Sequence, residues 1–125
     1  MANRLLTIGV FARRSRLSIK ALRLYERLGL LLPAEIDPQT GYRRYHESQL
    51  FTARLIVGLR RLDMPLSEVN RAITAYGDGG ERVLTSYWEQ VERRFVAQRE
   101  LAEQLRQSLR CEGSRLSAFD VHERD

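Results

Sequence analysis

Lys20, Arg23 and Arg27 follow one another at spacings of three and four residues, and the run Tyr42-Arg43-Arg44-Tyr45 comes shortly afterwards. Spacings of three and four place side chains together on one face of a helix. An ammonium, several guanidinium groups and phenol hydroxyls are the donors that phosphate oxygens accept. A guanidinium can also reach a phosphate or a guanine edge with two parallel hydrogen bonds. The chemistry these residues suit is therefore recognition of a polyanion. Each part alone has an ordinary explanation: three cations make a solvated helix face, and Tyr-Arg-Arg-Tyr makes an amphipathic strand edge. Their adjacency, behind a second short helix, is what points to duplex DNA. Catalysis is disfavoured, because the chain has no paired carboxylates in a plausible pocket, no nucleophile–base motif and no cofactor loop.

Local signals specify the elements that must hold these residues. Ser18 is a good N-cap for a helix over 18–28. Ile19, Leu22 and Glu26 share one side of it, and Ala21, Leu22, Tyr25 and Leu28 recur at helical spacing. Gly29 supplies a left-handed cap. A β-hairpin is expected next, with apolar Leu30 to Leu32 as its first strand, a turn over 37–41 and a return strand over 42–45. Upstream, Thr7 can cap a helix over 8–14, with Ile8, Phe11 and Ala12 inward. Ser15-Arg16-Leu17 is then a three-residue turn. Leu5 and Leu6 form a short strand or simply cover the core. Helix, short turn and helix make a helix-turn-helix, and the attached hairpin makes it winged. Helix and hairpin together suit a duplex, the helix entering the major groove while the hairpin grips neighbouring phosphates.

Charge divides the 125 residues unequally. Residues 1–75 hold 13 Lys/Arg against 6 Asp/Glu, whereas residues 76–125 hold 8 against 10. The first part carries the polyanion-binding character and the second does another job. Twenty of the 21 cations are arginine, which fits bidentate contacts and fits a bias in genome base composition equally well. With 43% apolar and 30% charged residues, a soluble folded chain is expected. No apolar run is long enough for a transmembrane helix. The opening MANRLLTIGV lacks a secretory core with a cleavage site, so a cytoplasmic location is expected. Cys111 is the lone cysteine, which excludes a disulfide framework and falls short of a soft-metal site. No metal or cofactor is expected. His46 reads as a structural or phosphate-adjacent residue at the cap of the next helix.

That helix is expected over 47–62, with Leu50, Leu55, Ile56, Leu59 and Leu62 toward the core. Asp63-Met64-Pro65 stops it. Another helix over 66–75 has Leu66, Val69, Ala72 and Ile73 inward. The run Tyr76-Gly-Asp-Gly-Gly80 reads as a hinge. It lacks both the Lys-Ser/Thr and the preceding strand of a phosphate-binding loop. A long helix over 81–115 follows. Leu84, Trp88, Val91, Phe95, Gln98, Ala102, Leu105 and Leu109 recur on it at alternating spacings of four and three, a heptad seam. A solitary helix cannot bury such a seam, and another copy of the chain is the simplest partner. Folding back on its own domain is the alternative.

The run TIGVFARRSRLSIKALRLYERLGLLLPAEIDPQTGYRRYHESQL resembles the N-terminal domain of MerR-family transcriptional regulators. The likeness rests on the opening TIG, Ser18 with the later L-R-x-Y-E element, the Gly-Leu exit from the second helix, and Gly-Tyr-Arg-x-Tyr before the third. Leu59-Arg-Arg-Leu-Asp-Met-Pro-Leu-Ser-Glu-Val matches as well. The resemblance is close over 5–75 and architectural only over 80–115. It implies a mainly α chain: a winged helix-turn-helix domain with a small β-hairpin wing over 1–76, a hinge at 77–80, a long coiled-coil dimerisation helix over 81–115, and a tail over 116–125.

Residue by residue, it implies that Ser18, Lys20, Ala21, Arg23 and Arg27 face or border the major groove and that Tyr25 contacts phosphate. Leu24 departs from the family's aromatic pair. Tyr42, Arg43 and Arg44 would hold the DNA backbone, with Tyr45 bracing the wing, and Arg60 or Arg61 would meet phosphate from a second wing. Leu84, Trp88, Val91, Phe95, Ala102, Leu105 and Leu109 would form an antiparallel homodimer. The implied partners are an inverted-repeat promoter site in double-stranded DNA, a second copy of the chain and, indirectly, RNA polymerase. No membrane is involved. The implied action is bending and untwisting of a promoter whose elements are too far apart. An architectural or recombination-type DNA protein of the same fold, or a coiled-coil adaptor, are the alternatives. Residues 117–125 resemble the opening strand of an effector domain, with His122 as a strand residue. The chain is expected to be shortened, or else naturally short, and an inducer pocket would exist only where that domain follows. The thiols of an antiparallel pair would lie toward opposite ends, so Cys111 is expected to be free.

Overall fold

Leu6, Phe11, Leu22, Tyr45 and Ile56 come from five separate elements and meet in one core. A computed structural model describes residues 3–75 and 77–119, with side chains described through Gly113. Its elements are β1 (Leu5–Thr7), α1 (Ile8–Ser15), α2 (Ile19–Arg27), β2 (Glu35–Ile36), β3 (Arg43–His46), α3 (Gln49–Arg61), α4 (Leu66–Thr74) and α5 (Asp78–Phe119). The architecture is mainly helical with a small antiparallel wing, as expected. It divides into two units, Met1–Leu84 and Thr85–Asp125.

Short-range chemistry sets the helix-turn-helix. Thr7 Oγ1 accepts the Val10 N–H at 3.3 Å, and Ser18 Oγ accepts the Ala21 N–H at 3.0 Å. Both hydroxyls satisfy first-turn donors that have no partner within the helix. Between the two helices Arg16 takes a left-handed backbone, φ 64°. Gly29, φ 71°, ends α2, and the Leu30 N–H then turns back to the Tyr25 carbonyl at 2.8 Å. Leu30 and Leu31 are buried by that reversal. They are a loop and not the expected first strand of the hairpin. Their apolar character serves the core under the C-terminus of α2. The outer strand is instead the two-residue β2.

The sheet order is β1-β3-β2, with both pairings antiparallel. Leu6 lies opposite Tyr45, and both are buried. The Tyr45 ring stacks on Phe11, so strand β3 is fastened to α1. His46 closes β3, and its backbone N–H donates to Gln49 Oε1 at 2.7 Å. It is therefore a strand residue, with Ser48 at the cap of α3. Leu50, Ala53, Ile56 and Leu59 form the buried face of α3. Leu55 and Leu62 depart from expectation and are exposed. Leu55 lies with Phe51, Ile73 and Leu84 along an open apolar cavity of about 620 Å³ in the first unit.

Pro65 ends the link between α3 and α4, and Met64 is fully buried beside it. The glycine run behaves differently from the expected hinge. Gly77 has φ 60°, but Asp78, Gly79 and Gly80 are already the first turn of α5. A β-carbon on Gly80 would lie 2.7 Å from the Ala72 carbonyl oxygen, and one on Gly79 would lie 2.9 Å from Ala75 Cβ. These glycines permit close approach of α4. At its other end α5 runs to Phe119, so 117–119 are helical and not strand. Residues 120–125, with His122, and Tyr76 lie outside the described residues.

Candidate nucleic-acid interface

The exposed face of α2 carries Lys20, Arg23 and Arg27, while Leu22 and Tyr25 are buried on the other side. Ser18 is exposed at the helix start and Ala21 is half-buried. The expected basic stripe is thus present, and Ser18 spends its hydroxyl on the cap. Tyr25 is only 9% exposed, and its ring fills core space under the helix. Leu24 beside it is half-buried. Arg13 and Arg16 are also exposed, near the turn that leads into α2.

The wing is built around Asp37. Its carboxylate accepts the backbone N–H groups of Gln39 at 2.8 Å and Thr40 at 3.3 Å. Those bonds favour the charged form and hold the Asp37 carboxyl below its usual range. The Asp37 N–H donates to the Tyr42 carbonyl, and the Gly41 N–H donates to the Asp37 carbonyl, each at 2.8 Å. Gly41 has φ 76°, the left-handed geometry that glycine adopts without strain. Tyr42 projects from this turn, 68% exposed. Arg44 lies opposite Glu35 across the strands, and the two side chains pair at 3.2 Å. That contact is exposed and weak, so the Arg44 guanidinium remains available to an anion.

Arg43 is held differently from the expectation. Its Nε donates to Glu26 Oε1 at 2.6 Å, its Nη2 to Glu26 Oε2 at 3.1 Å, and its Nη1 to the Gly41 carbonyl at 2.9 Å. The hydrogen bond and charge of Glu26 push the Arg43 pKa further up. A guanidinium oriented by a two-point carboxylate contact and a carbonyl is a brace first. On sequence alone Glu26 does no more than share a helix side, because its partner lies 17 residues away. Tyr45 braces the wing from below, as the resemblance implied. Arg60 and Arg61 are exposed at the end of α3, with Arg60 Nη1 donating to the Met64 carbonyl at 2.6 Å.

In α5, Trp88, Phe95, Leu105 and Leu109 are 42 to 72% exposed. Ala102 and Gln98 are exposed, and Leu84 and Val91 are half-buried. Cys111 is free and exposed. Among the described residues, no group of three or more His, Cys, Asp or Glu is placed to hold a metal ion. Among the same residues no helix is long and apolar enough to cross a membrane.

Comparison with known proteins matches this arrangement to a family. Residues 7–45, which are α1, α2 and most of the wing, match the MerR family regulatory protein model. The chain is 42% identical over 66 residues to the Multidrug-efflux transporter 1 regulator of Bacillus subtilis (strain 168). It is 43% identical over 67 residues to the transcriptional regulator BrlR of Pseudomonas aeruginosa. Those stretches cover 53% and 54% of this chain but only 24% and 25% of the two relatives. Among solved structures, the EcmrR–DNA complex in EcmrR-RPo superimposes with a TM-score of 0.55 at 28% identity, covering 84% of this chain and 41% of that one. Residues 7–45 of this winged helix-turn-helix are thus similar to the MerR family of regulatory proteins.

Proposed function

We propose that this chain is a homodimeric, sequence-specific regulator of transcription that binds an inverted-repeat promoter site. The observation that carries the reading is the pairing of the exposed Lys20–Arg23–Arg27 face of α2 with a braced wing presenting Tyr42 and Arg44. A helix of this kind offers side chains to base edges in the major groove, and the wing offers donors to flanking phosphates. The names of the relatives, both regulators, and the DNA-bound state of EcmrR support the same reading.

Dimerisation is supported by the heptad seam of α5 together with its exposure in the single chain. Two chains related by a two-fold axis require a site with matching symmetry. Antiparallel pairing of α5, and bending and untwisting of the site so that RNA polymerase engages it, extend this proposal. Lys20, Arg23, Arg27, Tyr42, Arg44 and Arg61 are assigned to DNA.

The test is selection from random duplex DNA, followed by binding to the selected site across a salt series. An inverted repeat bound by two chains, with affinity falling steeply as salt rises, is the expected result. The absence of any enriched site for a folded protein would overturn the proposal. The length of the central spacer separates promoter remodelling from architectural binding.

A further inference from the structure

We infer that Glu26 and Arg43 are a positioning pair that fixes the wing against the recognition helix and thereby sets sequence specificity. The inference rests on the DNA-binding reading above and deepens it. Glu26 sits in the last turn of α2, and Arg43 is the first residue of β3. Their contact is two-pronged, at 2.6 and 3.1 Å, and their side chains are only 18% and 34% exposed. A fork of this kind fixes direction as well as distance. The third anchor, Arg43 Nη1 on the Gly41 carbonyl, ties the turn of the wing to the same guanidinium. One side chain therefore joins three things: the end of the recognition helix, the first residue of β3, and the turn that presents Tyr42.

Specific binding needs α2 in the groove and the wing on the backbone at once. The register between them decides whether both contacts form. Non-specific binding has no such requirement, since cations alone supply it. A carboxylate on a DNA-facing surface ordinarily weakens binding. Here its removal has the opposite expected sign, because Glu26 acts through Arg43.

Three variants of the full chain test this: E26Q, R43A and R43K. Each is measured on the selected operator and on unrelated duplex, across salt, with thermal melts to show that it is folded. The expected result is a loss on the order of tenfold in operator affinity for E26Q, with non-specific affinity retained and the salt slope unchanged. R43K keeps the charge but lacks the two-pronged fork, so it should behave like R43A. The double variant E26Q/R43A should be no worse than R43A alone, because the two act as one unit. If E26Q binds as well as or better than the wild type, or if R43A lowers the salt slope by about one unit while R43K restores it, Arg43 is a phosphate ligand and the inference fails. A wild-type chain that selects no operator would instead overturn the proposed function, a separate outcome.

Discussion

Phe11 and Tyr45 stack with ring centroids 4.4 Å apart and planes 13° from parallel. The pair fastens the inner strand of the wing to α1, and both rings are fully buried. The Tyr45 hydroxyl has no hydrogen-bond partner there, and burial pushes its pKa up. An unpaired buried hydroxyl costs about 1–3 kcal/mol. Tyr45→Phe should therefore stabilise the chain by up to about 1 kcal/mol, while Tyr45→Ala should cost roughly 3–5 kcal/mol through the cavity it leaves. Urea unfolding of the two variants checks both signs, and a destabilised Tyr45→Phe would reveal a partner for the hydroxyl.

Ser18 caps α2 through the Ala21 N–H. Ser18→Ala should cost about 1 kcal/mol, whereas Ser18→Asp should hold the cap. A thermal melt compares the three proteins. Equal melting temperatures for Ser18→Ala and wild type would remove the cap from the stability of α2.

Gly80 reverses a simple propensity argument. Glycine to alanine inside a helix is ordinarily worth about 1 kcal/mol of added stability. At this position the new β-carbon would lie 2.7 Å from the Ala72 carbonyl oxygen and 3.1 Å from that of Ala75. Backbone cannot move aside as a flexible side chain does. Gly80→Ala should destabilise by roughly 1–3 kcal/mol, the cost of overpacking. Stabilisation in a denaturant titration would show that the first turn of α5 is free to shift.

Asp37 gives the wing a dependence on acid. Its pKa is lowered in the fold by the Gln39 and Thr40 N–H groups. A depressed carboxylate contributes stability that is complete above its unfolded value of about 3.8 and is lost as pH falls through the lower folded value. Glu47, lowered by its hydrogen bond from Arg14, adds in the same direction. Melts from pH 6 down to about pH 2 should show a decline that is shallower in Asp37→Asn. Identical acid profiles would mean that the turn does not depend on the charge.

Arg23 lies at the middle of the exposed basic face of α2. Arg23→Ala should weaken operator binding by roughly 1–3 kcal/mol if it reads a base edge, with relaxed preference at one position of each half-site. Competition against single-base operator variants locates that position. A uniform loss on every sequence would assign Arg23 to phosphate.

The parts of this chain that were legible in sequence are those specified within a few residues. Ser18, Gly29 and the 37–41 turn announce themselves because a cap or turn is completed by its own neighbours. The basic face of α2 and the seam of α5 follow from helical period. What was not legible needed a partner far along the chain. Leu30 and Leu31 looked like strand, because an apolar run reads alike whether it pairs or closes a helix end. Arg43 looked like a free cation, because its acceptor lies on α2. Gly79 and Gly80 looked like a break, because close approach to α4 leaves no mark in local composition. Tyr25 shares its helical spacing with Leu22, and its ring is buried with that residue.

The exposed seam of α5 carries a consequence for the cell. On the dimer reading, the DNA-binding species forms from two copies, so its amount rises with the square of chain concentration at low expression. Doubling the supply would then more than double occupancy of a weak site. A copy with an intact seam and a disabled α2 would pair with normal copies and leave half-active dimers. One defective allele would thus silence more protein than it encodes.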